Sequence, residues 1–321
     1  MAFLVNPQLQ TDAVTAPTTA AAGFHHALPA YAPTPVRELA GGVLVKDESD
    51  RLGLPAFKIL GASWAVERAL AGARATTTLV AASAGNHGRA VAHEATRRGL
   101  RCRVFVPERS LAVRRQAIES EGAEVVVVDG TYERCVALAR EAGDASGALE
   151  IADVGESGPA GDVIDGYATL FDEAAGQVEF DLLIVPVGVG SLAAAAARFG
   201  ARAGIPVVGA EPVTAACLTA SLAAGEPVSV DTPGTTMAGL DCAEVSRAAW
   251  PDLRAGIAGT ITVTDEEAEA ARRELVAAGL YIGESGSAPL AALRQEDGAI
   301  GSAERVLLVA TEGPTGSPSA G

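Results

Sequence analysis

The chain has 321 residues, 49% of them hydrophobic, and a formal net charge of −16. This length and apolar content can form a large core and predict two domains, whereas the negative charge disfavours nucleic acid and anionic membrane surfaces as partners. No stretch approaches the roughly 20 apolar residues of a membrane span and no signal peptide is evident, so we expect a cytoplasmic protein. The four cysteines and four histidines do not follow metal-ligand spacing, and we assign no metal.

The order of apolar and amphipathic segments predicts an α/β fold. The first 30 residues and the last eight are rich in Pro, Ser, Thr, Ala and Gly, and we expect them to be loose. From Leu79 onward, short apolar runs alternate with helical stretches, which is typical of βαβ units and parallel sheets. The predicted strands are 79–83, 102–107, 123–129, 181–187, 205–211, 261–264 and 304–311. The predicted helices are 87–99, 111–122, 132–143 and 265–279. Thr131 is expected to cap the third helix, and Thr264 with Glu267 forms a capping box for the fourth.

Lysine chemistry has two possible locations, because Lys46 and Lys58 are the only lysines in the chain. Lys58 follows Phe57 and precedes an apolar segment. An amine in such surroundings either extends its head to water or becomes neutral and nucleophilic. The second case would suit a Schiff-base lysine.

Two short segments combine small residues with the start of a helix. SAGNHG, residues 83–88, follows a predicted strand and offers backbone N–H groups with the Asn86 amide and the His87 ring. It suits a carboxylate or a hydroxyl, although an Asn-capped turn explains it equally well. GVGSLA, residues 188–193, also follows a strand and predicts a phosphate cradle. Glu211 stands 21 residues after Gly190, so this segment also fits a nicotinamide dinucleotide site.

Taken together and in this order, these segments resemble the fold type II pyridoxal-phosphate (PLP) enzymes. This group contains threonine dehydratase, serine racemase and the tryptophan synthase β-subunit, and the likeness is strongest to the diaminopropionate ammonia-lyases. It is carried by YAPTPV, KDES, AFKILGAS, SAGNHGRAVA, GYATL, PVGVGSLA, GAEP, TTMAGLDC, GESG and ATEGPT. A dinucleotide fold gives no reason for this collinear set.

The resemblance implies two open, twisted, mainly parallel sheets flanked by helices, with the cofactor in a cleft between domains. The larger PLP-binding domain would comprise residues 1–66 and 167–321, and the smaller α/β domain residues 67–166. A homodimer is implied as well.

The resemblance also implies roles for individual residues. Lys58 would carry PLP as a Schiff base, and Asn86 would contact the ring hydroxyl of the cofactor. Thr311 would stand beside the pyridine nitrogen, where a neutral hydroxyl does not keep that nitrogen protonated and so favours elimination over transamination. Asp153 is the best match to a catalytic acid of the family, with Glu156 as the alternative because the intervening stretch is a few residues shorter here. The cofactor phosphate would contact Gly188, Val189, Gly190, Ser191 and Leu192. The substrate carboxylate would contact Ser83, Ala84, Gly85 and His87.

The expected activity is α,β-elimination from a small β-substituted amino acid such as 2,3-diaminopropionate, giving a 2-keto acid and ammonia. Three alternatives stay open: β-replacement on the same cofactor, a nicotinamide-dependent oxidoreductase, and a non-catalytic binding protein. Ala84 departs from the ammonia-lyase pattern, which has an aspartate that handles the proton of one substrate enantiomer. Action on both enantiomers is therefore not expected. Cys217 and Cys242 match cysteines of the ammonia-lyases, but a disulfide is disfavoured in the cytoplasm.

Overall fold

The computed structural model describes residues 3–73, 75–156, 158–295 and 303–314. These residues contain eleven strands and eleven α-helices, which confirms the α/β class. The strands are β1 Phe3–Val5, β2 Val36–Glu38, β3 Val43–Asp47, β4 Thr78–Ala82, β5 Arg101–Pro107, β6 Glu124–Val128, β7 Ala148–Glu150, β8 Leu182–Pro186, β9 Val207–Pro212, β10 Gly259–Val263 and β11 Val306–Ala310. The helices are α1 Ala20–His26, α2 Lys58–Gly72, α3 Asn86–Arg97, α4 Ala112–Glu119, α5 Tyr132–Gly143, α6 Pro159–Gln177, α7 Ser191–Ala203, α8 Cys217–Ala224, α9 Trp250–Gly256, α10 Asp265–Ala277 and α11 Glu284–Arg294. None of the described helices is long and apolar enough to cross a membrane.

The described residues form two compact units. One unit contains the chain up to Phe57 and from Tyr167 onward, and the other is Lys58–Gly166. The sequence instead placed the first boundary after residue 66, so helix α2 lies in the second unit as the structure divides it. The division into a cofactor-binding domain and a smaller domain stays a prediction.

The first unit is built on a seven-stranded sheet in the order β1-β10-β9-β8-β11-β3-β2. The five central strands run parallel, and β1 and β2 pair antiparallel at the two edges. Strands β8 and β11 are buried along their whole length. Their uninterrupted apolar sequences therefore reflect a parallel sheet covered on both faces, and residues of α10 and α11 such as Leu275 and Leu290 pack into the same core.

The second unit contains a four-stranded parallel sheet in the order β6-β5-β4-β7. Val80, Phe105 and Cys135 belong to the apolar cluster between this sheet and α5. Helix α6 begins at Pro159, and proline at the first position suits a helix start. A Cβ on Gly166 would lie 2.6 Å from the Leu60 carbonyl oxygen, so glycine permits close approach to α2.

The predicted strands and helices all occur, with ends shifted by a few residues. Thr131 accepts a hydrogen bond from the Arg134 backbone N–H at 3.4 Å, and the Thr264–Glu267 capping box is present. The sequence missed β1, β2, β3 and β7. In β3, Lys46 and Asp47 interrupt the apolar pattern.

The expectation of a loose N-terminal segment is wrong. Strand β1 pairs with β10, and the Asn6 side chain donates to the carbonyl of Ile257 at 2.6 Å. His25 is fully buried, with its ring 2.7 Å from the Thr169 hydroxyl. These partners are far away in sequence, so local composition could not reveal them. The last eight residues, apart from Pro314, lie outside the described part of the chain.

Candidate functional site

Lys58 faces a buried carboxylate. It is the first residue of α2, and its Nζ lies 3.2 Å from Oδ2 of Asp153, which follows β7. The Lys58 side chain is 21% exposed, whereas Asp153 is buried. Burial by itself raises the pKa of Asp153, but the charges of His87 and Lys58 outweigh it and hold that pKa below its ordinary value. The structure therefore joins an amine and an ionised carboxylate that are 95 residues apart in sequence.

The SAGNHG segment forms the turn between β4 and α3. Ser83, Ala84, Gly85 and Asn86 are partly exposed, so their polar groups are accessible to a ligand. A Cβ on Gly88 would lie 2.4 Å from the Ser83 carbonyl oxygen, which explains why glycine closes the turn. This turn opens a helix of 12 residues, whose N-terminal N–H groups favour an anion.

The His87 ring points away from this accessible turn. It is 2% exposed, and its Nε2 lies 2.8 Å from the carbonyl oxygen of Ile151. Its Nδ1 lies 4.0 Å from Oδ2 of Asp153. The sequence grouped the ring with the substrate carboxylate site, but the structure places it beside Asp153.

The GVGSL segment connects β8 to α7. Gly190 has φ +90°, a left-handed conformation that favours glycine, and Ser191 begins α7. A Cβ on Gly188 would lie 2.8 Å from the Gly239 carbonyl oxygen. Gly188 and Val189 are partly exposed, so the loop has the features of a phosphate cradle at the N-terminus of a 13-residue helix.

Thr311 emerges beside this loop at the same edge of the sheet. It follows β11, which pairs in parallel with β8, so both lie at carboxyl ends of neighbouring strands. Ligands of open α/β sheets bind at this edge. A Cβ on Gly286 would lie 3.0 Å from the Thr311 backbone nitrogen, and one on Gly239 would lie 2.9 Å from the Ser285 hydroxyl. Glycine at these positions permits close packing around Thr311, which is itself buried.

The ammonium group of the second lysine, Lys46, has a hydrogen-bond acceptor for each of its N–H groups. Lys46 has no exposed surface, and its Nζ contacts the Thr34 carbonyl oxygen at 2.7 Å, Glu173 Oε2 at 2.9 Å and Gln177 Oε1 at 3.0 Å. An ammonium has three N–H donors, and these three acceptors use all of them. The local sequence does not indicate that Lys46 is buried among these acceptors, because Glu173 and Gln177 are more than 120 residues away.

Glu211 has a structural task that competes with nucleotide binding. One of its carboxylate oxygens accepts the Leu218 N–H at 2.7 Å, and the other accepts the Thr219 N–H at 2.8 Å and the Thr219 hydroxyl at 2.6 Å. The side chain is fully buried and binds the first turn of α8. Glu211 therefore does not present an oxygen to a ribose. The nicotinamide alternative required this residue as its ribose-binding acid.

Cys217 and Cys242 are not joined by a disulfide in this structure. The Cys217 thiol lies 3.5 Å from the Gly188 carbonyl oxygen, and burial raises the pKa of Cys217 above its ordinary range. Within the described residues, no group of three or more His, Cys, Asp or Glu side chains is arranged to hold a metal ion.

The fold and these residues define an α/β enzyme class that combines a phosphate cradle with a reactive amine. The glycine loop, the Thr311 hydroxyl at the end of the neighbouring strand and the partly exposed Lys58 beside Asp153 fit the needs of PLP, which requires a phosphate site, a ring site and an amine.

The chain belongs to the pyridoxal-phosphate-dependent enzymes, because the model of that family matches residues 27–312. Diaminopropionate ammonia-lyase of Salmonella typhimurium is 33% identical over 288 residues, which cover 75% of this chain and 71% of that protein. A biosynthetic L-threonine dehydratase of Pasteurella multocida is 30% identical, with 80% of this chain and 50% of that protein covered. A crystal structure of Escherichia coli diaminopropionate ammonia-lyase, in complex with an aminoacrylate-PLP azomethine intermediate, matches with a TM-score of 0.86. The match has 28% identity and covers 98% of this chain and 94% of that chain.

These findings confirm the resemblance, the fold type II architecture and PLP as the cofactor. The expected class, a PLP-dependent lyase, is confirmed by the ammonia-lyase relatives. The nicotinamide-dependent alternative is wrong.

Proposed function

We propose that this enzyme eliminates the β substituent of a small amino acid such as 2,3-diaminopropionate, giving a 2-keto acid and ammonia. The observation that carries the proposal is the Lys58–Asp153 pair, with Nζ and Oδ2 3.2 Å apart. Removal of an α proton needs a base, and departure of a β-amino group needs an acid. Lys58 supplies the base and Asp153 supplies the acid, and one hydrogen bond joins the two groups.

Lys58 is the Schiff-base lysine in this proposal because Lys46 is excluded by its buried contacts. Bound PLP supplies an aldehyde for the amine and a ring that withdraws electrons from the substrate. Lys58, once displaced by the substrate amine, takes the α proton on Nζ. The bond between Cβ and the leaving nitrogen then breaks, and its electron pair goes to that nitrogen.

Asp153 handles the second proton. Its carboxylate is ionised when the substrate arrives. Burial raises its pKa, but the neighbouring positive charges have the larger effect and hold that pKa low. It accepts a proton from the substrate ammonium and later gives it to the leaving nitrogen. The overall reaction adds one water, so diaminopropionate yields one pyruvate and two ammonia molecules.

The remaining residues hold the cofactor and the substrate. We assign the phosphate to Gly188, Val189, Gly190, Ser191 and Leu192, the ring hydroxyl to Asn86 and the pyridine nitrogen to Thr311. Backbone N–H groups of Ser83, Ala84 and Gly85 receive the substrate carboxylate. Support comes from the partly exposed residues of both loops and from the glycines that shape them.

The test combines chemical trapping with product analysis. Borohydride reduction of the PLP-bound enzyme should place one adduct on Lys58, and peptide mass spectrometry can decide this cleanly because the chain has only two lysines. The enzyme should release keto acid and ammonia from diaminopropionate or serine, and Lys58→Ala should abolish both adduct and product. An adduct on Lys46, or no keto acid from any β-substituted amino acid, would overturn the proposal. A new amino acid formed with added thiols or amines would indicate β-replacement.

The homodimer and the cytoplasmic location stay predictions. Sedimentation of the PLP-bound enzyme tests the first, and cell fractionation tests the second.

A further inference from the structure

The orientation of the His87 ring is fixed by one hydrogen bond. Its Nε2 lies 2.8 Å from the Ile151 carbonyl oxygen, and the ring is 2% exposed. A carbonyl oxygen only accepts, so Nε2 carries the hydrogen. The neutral ring is therefore the Nε2–H tautomer, and Nδ1 carries a hydrogen only when the ring is charged.

Nδ1 of His87 faces Asp153, the candidate catalytic acid. It is buried, makes no hydrogen bond within the described part of the chain, and lies 4.0 Å from Oδ2 of Asp153. A buried ring nitrogen without a hydrogen-bond partner is costly, so its presence needs an explanation. The carboxylate of Asp153 is the only carboxylate among the described residues within 4.0 Å of this ring.

Asp153 thus stands between two basic groups. Its Oδ2 faces Lys58 Nζ on one side and His87 Nδ1 on the other. Both groups are titratable and lie within 4.0 Å of its carboxylate. His87 lies on α3, and Ile151 lies directly after β7. The backbone of these two elements therefore sets the ring beside the carboxylate.

We propose that His87 is a positioning residue that holds the Asp153 carboxylate beside Lys58 and sets the pH at which this carboxylate carries a proton. This inference rests on the proposed elimination, in which Asp153 moves one proton. His87 contacts neither the substrate nor the cofactor in this role. It acts only through Asp153.

Two substitutions separate the parts of the ring. His87→Gln keeps a donor for Ile151 but removes Nδ1 and the charge, whereas His87→Asn keeps a polar group near the Nδ1 position. Misplacement of a catalytic group by about 1 Å can cost up to ~100-fold, so we expect His87→Gln to lower kcat roughly tenfold with little change in KM. His87→Asn should retain more activity. The acidic limb of the kcat/KM profile should move to higher pH in His87→Gln, because a positive charge beside the carboxylate is lost.

A double-mutant cycle tests whether His87 acts through Asp153. In the Asp153→Asn background, His87→Gln should cause little further loss of kcat, because effects that share one partner do not add. His93→Gln is the matched control. It removes a histidine from the same helix whose ring contacts Glu121 at 2.9 Å, and it should leave the elimination unchanged.

A second readout does not depend on turnover. The full chain has four histidines, so the ring nitrogens can be resolved by NMR after histidine labelling. Nε2 of His87 should carry a hydrogen, and Asp153→Asn should move the Nδ1 resonance of His87 but not those of His26 and His93. An equal loss of kcat in both backgrounds, or an Nδ1 resonance that ignores Asp153→Asn, would overturn the inference. If the wild-type enzyme yields no keto acid while the NMR result holds, the proposed elimination fails instead.

Discussion

Arg51 anchors a buried ion cluster, and its replacement by methionine should destabilise the protein severely. The guanidinium is fully buried and contacts Glu48 at 2.6 and 2.8 Å and Glu173 at 2.6 and 2.8 Å. Lys46 also contacts Glu173, so two cations balance two carboxylates. Arg51→Met leaves one buried negative charge without a partner.

The expected cost follows from that unpaired charge. Breaking a buried ion pair from one side costs about 3–5 kcal/mol, whereas an exposed pair contributes less than about 1 kcal/mol. Arg272→Met is the matched control, because Arg272 pairs with Glu269 on the exposed face of α10. Arg51→Met/Glu48→Gln removes one charge of each sign and should recover part of the loss.

Urea titration followed by circular dichroism measures the effect. With a denaturant slope of about 3 kcal/mol/M for a chain of this size, the unfolding midpoint of Arg51→Met should fall by ~1 M or more. The midpoint of Arg272→Met should stay near that of the wild type. Equal midpoints for Arg51→Met and Arg272→Met would refute the reasoning, as would a double variant less stable than Arg51→Met alone.

Three further predictions concern single positions. Gly190→Ala should weaken PLP binding by at least ~10-fold, or about 1.4 kcal/mol, in a spectroscopic titration, because the new Cβ would lie 2.6 Å from Leu253 Cδ1. Gly204→Ala has the same left-handed strain but open space around it, and PLP affinity equal in the two variants would contradict the role of the loop. Burial raises the pKa of Glu211 from 4.5 to about 7 despite its hydrogen bonds to α8. The folded state therefore holds a proton that the unfolded state releases, so its stability declines as pH rises from 4.5 to about 7, and Glu211→Gln should flatten that decline in urea titrations across the window. Ala84→Asp should raise turnover of the diaminopropionate enantiomer that the wild type processes more slowly, and an unchanged enantiomer ratio in a keto-acid assay would contradict this.

Much of the fold follows from the sequence because its signals are local. The apolar runs of the parallel strands, the caps at Thr131 and Thr264 and the glycines after β8 act within a few residues of themselves. Strand β3 escaped notice because Lys46 lies in it, and a buried lysine looks like a surface residue when its partners are unknown.

The candidate site shows the same limit. The sequence limited the reactive amine to Lys46 or Lys58, because the chain has only these two lysines. It also identified the SAGNHG and GVGSL turns, because short motifs can be recognised from sequence alone. It did not show that Glu173 and Gln177 occupy Lys46, that Glu211 caps α8, or that the His87 ring turns toward Asp153.

The sequence by itself therefore determined the α/β class, most of the parallel strands, the candidate loops and the small set of groups that could do the chemistry. Only the tertiary structure decided which lysine keeps an accessible amine, which carboxylate faces it and which histidine supports that carboxylate. The physical reason is that burial, ion pairing and hydrogen bonding depend on groups brought together from distant parts of the chain. Lys58 and Asp153 are 95 residues apart and Lys46 and Glu173 are 127 apart, and no local pattern encodes either pair.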